Sequence, residues 1–278
     1  MCDYKDKYIN INGNLIRYRE AGTGPVLFLV HGIAGYLEEW EPIMRNLSTH
    51  YRVITPDLLG HGLSDKPEIA YSLDCLTIFL KDFIQKFTDS RIYLAGHSLG
   101  GAICLNLAIL FPSMVERLIL INSIFIKIPL LIRLSSFKFL QKIKLKTPRF
   151  MVKISLKRNF FNREFITTKW LDDAYRCINA PGASRVMFSV INSSISLTGL
   201  RKNSLCKFLS EIENLYIPVL IFYGIKDKIL SYKNSILLHE LLKNSQCVAI
   251  ENCSHELQVE ACDAFCAKTC EFLMNNFT

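Results

Sequence analysis

The chain lacks an apolar leader at its amino end, any apolar run long enough to cross a bilayer, any Cys-x-x-Cys pair and any Gly-Lys-Ser/Thr step. Each absence removes a class of protein. Met1 to Lys7 is polar, so no export signal is expected there and the protein is expected in the cytoplasm. The apolar stretch Ile124 to Leu134 is broken by Lys127, Pro129 and Arg133, too soon for a membrane span. A reducing compartment argues against disulfides among the ten cysteines. Cys262, Cys266 and Cys270, spaced by four, are expected as small thiols on the buried face of a helix rather than as metal ligands. Charge is also modest, 21% of residues against 50% hydrophobic, which excludes disorder. A chain of 278 residues then suits one large α/β domain, or a core with an insertion.

What is present centres on Ala95-Gly96-His97-Ser98-Leu99-Gly100-Gly101. It follows the apolar run Arg91 to Leu94 and precedes a helical pattern from Ala102 to Phe111, placing Ser98 where a strand turns sharply into a helix. Side chains at positions 96 and 100 would collide in so tight a turn. Gly-x-Ser-x-Gly in this context is a nucleophile elbow: the serine stands clear at the positive end of the helix, and the Leu99 N–H faces a developing oxyanion.

Elsewhere, Tyr8 to Ile11 and Leu15 to Arg19 flank Asn12-Gly13, a hairpin signal. Val26 to Val30 reads as a parallel strand covered on both faces, and His31-Gly32-Ile33-Ala34-Gly35 follows at its carboxyl end. In open α/β sheets ligands bind beyond the carboxyl ends of the strands, so this loop shares a crevice with Ser98 and its Ile33 N–H is the second expected oxyanion donor. His31 is expected to brace a neighbouring loop, as are Asp57 and His61 in the turn that follows strand Tyr51 to Thr55; Lys66 comes too late there for a phosphate cradle. Leu37 to Leu47 and Leu73 to Phe87 are expected helices, and Arg117 to Ile121 a further strand. Alternation of strand and helix predicts βαβ units with helices on both faces of a mostly parallel sheet.

The alternation stops from about residue 124 to 209. Helical stretches at Pro129 to Ile143, Arg149 to Lys157 and Thr167 to Arg176 make this an insertion, most simply a lid. The expected organisation is a core of residues 1–123 and 210–278 interrupted by a helical lid at 124–209. Pro218 to Tyr223 and Cys247 to Ile250 resume the sheet, each followed by a polar residue of interest, Asp227 and His255, before a closing helix from Glu256 to Met274. Serine needs a base at neutral pH, imidazole can serve, and imidazole needs an acceptor to fix its tautomer. Ser98, His255 and Asp227, each just past a strand, are therefore the candidate catalytic residues.

The sequence resembles the α/β-hydrolase superfamily through His31-Gly32, Asp57-Leu58-Leu59-Gly60-His61-Gly62-Leu63-Ser64, Gly96 to Gly101, Asp227, and His255 with Glu260 behind it. Within it, the chain is similar to soluble, lid-bearing carboxylesterases, lipase-like enzymes and carbon–carbon bond hydrolases. That resemblance implies a serine hydrolase, expected to cleave a carboxylic ester of a small acyl substrate with no metal or organic cofactor; aspartate, carried by the family's epoxide hydrolases and haloalkane dehalogenases at the nucleophile position, is here Ser98. Cleavage of a carbon–carbon bond is the alternative, and a low-turnover ligand-binding protein is the alternative from another class. The sequence departs from the family at Ser254, where glycine commonly precedes the histidine, and at His-Gly-Ile in place of a triple glycine. It leaves substrate and oligomeric state open.

Charge is unevenly spread. Arg117 to Arg163 holds 12 Lys or Arg and no Asp or Glu, leaving 21 basic against 25 acidic residues elsewhere, so the formal net charge of +8 resides in this stretch. Lys138, Lys142, Lys144, Lys146, Lys153 and Lys157 are interleaved with Phe137, Phe139, Leu140, Leu145 and Phe150. A solvated helix face explains such a run; the functional alternative is an acidic partner, either an anionic lipid surface or an acyl carrier protein. Nucleic acid is not expected, since no binding motif accompanies the charge.

Overall fold

The computed structural model describes residues 4–123, 146–196, 199–200 and 211–274. Eight strands form one sheet: β1 (Lys7–Ile11), β2 (Asn14–Ala21), β3 (Val26–Val30), β4 (Arg52–Pro56), β5 (Ile92–His97), β6 (Val115–Ile121), β7 (Val219–Gly224) and β8 (Ser245–Ile250). Their spatial order is β1-β2-β4-β3-β5-β6-β7-β8, antiparallel at β1/β2 and β2/β4 and parallel throughout the rest. The β1–β2 hairpin turns on Asn12 and Gly13, both at positive φ (50° and 85°), the backbone that Asn-Gly adopts most readily.

Strict side-chain alternation gives the sheet two apolar faces. Phe28, Val30, Leu118, Leu120, Val219 and Ile221 point to one core; Leu27, Leu29, Ile119, Ile121, Leu220 and Phe222 point to the other. The first is covered by α2 (Leu73–Ile84) and α3 (Leu99–Leu110), the second by α1 (Glu41–Leu47) and the last helix. α3 is apolar nearly all round because it is enclosed nearly all round.

Between β6 and β7 lie α4 (Arg149–Asn159), α5 (Thr168–Ile178) and α6 (Ala183–Ser194). Val152, Leu156, Phe160, Leu171, Ala174 and Cys177 of the α4–α5 region build a third apolar cluster with Tyr36, from the loop after β3, and Val259, from the segment after β8. α4 and α5 are thereby seated over the carboxyl ends of the strands. The expected helix at Pro129 to Ile143 and the outer parts of the expected 124–209 insertion lie outside the described residues.

Several expectations shift in detail. Leu37 to Leu47 divides into a 3-10 turn (Leu37–Trp40) and α1, with Pro42 in the first turn of α1, where a missing N–H costs no hydrogen bond. The insertion is not purely helical, since Ile195–Ser196 pairs with Gly199–Leu200 as a short antiparallel ladder. The closing helix is broken at Ala261 (φ −125°, ψ 39°) into α8 (Leu257–Glu260), after α7 (Lys233–Leu241), and α9 (Cys262–Met274). Cys266 is buried, with Cys262 and Cys270 packed against the same apolar cluster, and the eight described cysteines are free thiols.

A fully buried arginine ties the antiparallel edge to the loops above the sheet. Arg17 of β2 donates to Asp6 through Nε (2.7 Å) and Nη2 (3.0 Å), to Glu38 through Nη2 (2.5 Å) and to Asp57 through Nη1 (3.2 Å). Asp57 in turn accepts the Leu37 and Leu63 N–H groups, each at 2.8 Å, and α5 adds Arg176 to Glu38 at 2.7 Å. His31 accepts the Leu58 N–H at Nε2 (3.0 Å) and donates from Nδ1 to the Gly32 carbonyl (2.8 Å), so the loops after β3 and β4 are locked together. His61 bonds within its own loop, Nδ1 to the Leu59 carbonyl at 3.2 Å.

Removing one member of a buried ion network strands the others. Arg17→Ala is expected to lower stability by about 3 to 5 kcal/mol in urea unfolding. A loss under about 1 kcal/mol, the scale of a surface pair, would show that the network is solvated and not structural.

Candidate active site

Ser98 joins β5 to α3 at φ 53° and ψ −116°, a backbone that costs a non-glycine residue about 1–3 kcal/mol. Close packing holds it there. A Cβ on Gly96 would lie 2.5 Å from the Gly100 carbonyl oxygen, and one on Gly100 would strike the carbonyl oxygens of Val30 and His31. The chain thus turns where strand and helix touch through bare backbone. The Ser98 N–H donates to Ile121 of β6 at 3.0 Å.

The loop after β3 reaches the same place. A Cβ on Gly32 would come within 3.0 Å of the Ser98 Cβ, which sets the next amide, Ile33, beside the turn. Leu99 opens α3, and its N–H is one of the helix's unpaired amides. Among the described residues neither the Ile33 nor the Leu99 N–H donates to a protein oxygen.

Asp227 and His255 meet directly. The Asp227 carboxylate lies past β7 and is aimed by two amides, with Oδ1 accepting from Ile229 (2.7 Å) and Leu230 (2.9 Å). Its Oδ2 accepts the His255 Nδ1–H at 2.8 Å, which fixes the tautomer and leaves Nε2 as the basic nitrogen. Burial by itself depresses the His255 imidazole, but the Asp227 charge outweighs it and the pKa is held above its ordinary 6.5. Burial likewise raises the Asp227 carboxyl, yet His255 and the two amides bring it below 3.8. Stability contributed by the His255 cation is therefore complete below pH 6.5 and fades as pH rises through its raised folded value; that of the Asp227 anion is present above pH 3.8 and fades in acid.

The residue before Ser98 packs against this pair. The His97 ring lies 4.6 Å from the His255 ring, centroid to centroid, and His97 Nε2–H donates to the His255 carbonyl at 2.9 Å. Asn122, at the end of β6, donates to the carbonyls of Ser254 (3.0 Å) and His255 (2.8 Å) while its Oδ1 accepts from Gly224 (2.9 Å). The ends of β5, β6 and β7 are thus pinned to one loop. Among the described residues no hydrogen bond joins Ser98 to His255; contacts of this kind commonly tighten only with substrate bound.

The histidine loop is also fastened to α4. The Asn159 carbonyl accepts from His255 (2.8 Å) and Glu256 (3.3 Å), and its side chain donates to Glu256 Oε1 (3.0 Å). Glu260 accepts the amides of Phe161 (2.7 Å) and Asn162 (2.8 Å) at one oxygen and that of Ser254 (2.7 Å) at the other. Ser254 stands comfortably where glycine is common, because the positive φ of this turn (52°) falls on Asn252.

Glu39, His97 and Glu256 form the group of described residues with donor atoms close enough to hold a cation, within 4.8 Å of one another and all buried. Burial, and then the repulsion of Glu256, push the Glu39 carboxyl far above its usual range; burial also raises Glu256. The pair therefore retains protons where exposed glutamates are ionised. His97, Asn122, Asn159 and the Glu39–Glu256 pair escape a sequence reading, although the polar step Asn122-Ser123 closing the apolar strand Leu118 to Ile121 is a signal for Asn122.

With the site in view, the family described as alpha/beta hydrolase fold matches residues 25–261. An uncharacterized protein of Mycobacterium tuberculosis is 28% identical over 260 residues, covering 90% of this chain and 75% of that one. The 2-hydroxy-6-oxo-6-(2'-aminophenyl)hexa-2,4-dienoic acid hydrolase of Metapseudomonas resinovorans is 24% identical over 97% of this chain and 91% of its own. Among solved structures, a putative lipase from Acinetobacter baumannii superposes with a TM-score of 0.84 at 28% identity, covering 98% of this chain and 91% of that one. The chain belongs to the alpha/beta hydrolase family.

Proposed function

We propose that the protein is a serine hydrolase that cleaves a carboxylic ester through an acyl-Ser98 intermediate. The observation that carries this is the Asp227–His255 pair, at 2.8 Å, whose imidazole lies 4.6 Å from the ring of His97, the residue before a serine held in a strained strand-to-helix turn. His255 Nε2 takes the Ser98 Oγ proton as Oγ attacks the carbonyl carbon, and the Ile33 and Leu99 N–H groups receive the negative oxygen. The imidazolium, stabilised by Asp227, then gives its proton to the departing alkoxide. Water, deprotonated by the same nitrogen, attacks the acyl group; Ser98 recovers its proton and the acid leaves. The helical segment between β6 and β7 serves as the lid, and the eight described cysteines, all free thiols, suit a cytoplasmic location.

A second reading, cleavage of a carbon–carbon bond, is favoured by relatives named as dienoate hydrolases. The same three residues would serve it. Turnover of a vinylogous β-diketone beside a panel of simple esters separates the two.

Purified protein is expected to hydrolyse short p-nitrophenyl esters and to take a fluorophosphonate label, with Ser98→Ala lowering turnover by about 10³ or more and abolishing labelling. Wild-type protein inert to both reagents would count against any acyl-serine chemistry. The log of kcat/KM is expected to rise with pH to a plateau, with its midpoint above 6.5 because Asp227 favours the His255 cation. Asp227→Asn removes that support and the tautomer lock, so turnover is expected to fall by about 10³ to 10⁴ in a protein that still melts cooperatively. Near-normal activity in this variant would mean that another acid serves His255.

A further inference from the structure

α4 has two apolar stripes, and only one of them is buried. Val152 and Leu156 face the core beneath. At roughly 100° per residue, Phe150, Ile154 and Met151 fall within a single arc on the opposite side of the helix. They are 65%, 55% and 51% exposed. Lys153, Lys157 and Arg158 are exposed around the same arc and, among the described residues, meet no carboxylate, whereas Arg149 is paired with Asp172. α4 has no acidic residue, and it lies in the stretch that carries the chain's whole positive excess. No described helix is long and apolar enough to cross a membrane, so contact with lipid through this helix would be lateral.

We propose that the outer face of α4 docks on an anionic lipid surface, with Phe150, Met151 and Ile154 entering the boundary between headgroups and acyl chains and Lys153, Lys157 and Arg158 meeting the lipid phosphates and carboxylates. A stripe of flexible apolar side chains ringed by cations is the pattern of a helix that lies in a membrane interface. A soluble acidic protein would satisfy the cations but would give the exposed apolar stripe no fluid phase to enter, and for that reason lipid is favoured over an acyl carrier protein. The helix ends at Asn159, whose carbonyl holds the His255 amide, so a docked α4 would lie between the lipid and the histidine loop. Docking stands apart from the esterase reading. Lys138, Lys142 and Lys144, with their neighbouring apolar residues, lie outside the described residues.

Co-sedimentation with vesicles of phosphatidylcholine alone, and of phosphatidylcholine mixed with phosphatidylserine, tests this with both wild-type and Ser98→Ala protein, so that binding is read without turnover. Binding is expected to the mixed vesicles only, and to weaken about tenfold or more as ionic strength rises from low to well above physiological. The double variants Phe150→Ser/Ile154→Ser and Lys153→Gln/Lys157→Gln are each expected to weaken binding about tenfold while keeping the melting profile and the p-nitrophenyl ester turnover of wild type, because all four side chains are exposed. Failure of wild type to sediment with mixed vesicles, equal binding to neutral ones, or unimpaired binding by both variants would overturn the proposal. So would a saturable complex with acyl carrier protein in the absence of vesicle binding. Wild-type protein inert toward p-nitrophenyl esters yet bound to mixed vesicles would refute the catalytic reading and keep the docking.

Discussion

Backbone contact without side chains between β5, α3 and the end of β3 is what the rest of the site depends on. Ser98 sits at φ 53° because Gly96 lets the first turn of α3 fold back on the strand, and Gly100 lets that turn press against Val30 and His31. The cost of the twist, about 1–3 kcal/mol, is small beside what the helix recovers. Ile103, Leu105 and Leu107 of α3 are fully buried, each contributing about 1.5–3 kcal/mol. Packing therefore overrides the local preference of the serine backbone, and it does so only while the glycines keep the helix close.

Around that contact the polar residues divide their work. Asp227 acts on the state of His255, setting tautomer and charge, whereas Asn122 and His97 act on where its backbone lies. Glu260 and Asn159 extend the same control to the segment after α4, so the histidine turn is suspended between the sheet and the inserted helices. Such a loop needs no glycine before the histidine, since external hydrogen bonds hold what a permissive residue would otherwise allow.

The sheet was legible because its signals are local. Five apolar residues between turn residues mark β3, Asn12-Gly13 marks the hairpin, and Gly-x-Ser-x-Gly between strand and helix marks the elbow. The Asp227–His255 contact follows from both residues lying just past adjacent parallel strands, β7 and β8. What escaped is non-local or needs a partner to have meaning. Arg17 looks like an ordinary edge-strand cation until Glu38 and Asp57 close on it from 21 and 40 residues away. His97 is a variable position in its motif, and only the fold brings it to a residue 158 positions later. The break at Ala261 was invisible because nothing in Glu256 to Met274 forbids a continuous helix; the break sits beside Glu260, which is bonded to three amides outside its own helix.

The Arg17 network also bears on how the chain folds as it is made. Synthesis runs from the amino end, and domains tend to organise in that order. Here the first hairpin emerges with a cation that must be buried and one of its carboxylates, Asp6, ahead of it, while Glu38 and Asp57 come after it and the last contact, Arg176, waits until most of the sheet except its final two strands has been made. The edge of the sheet laid down earliest is thus among the last parts to be electrostatically complete, and a ribosome-bound chain halted before residue 176 would hold Glu38, in the turn after β3, without one of its cations.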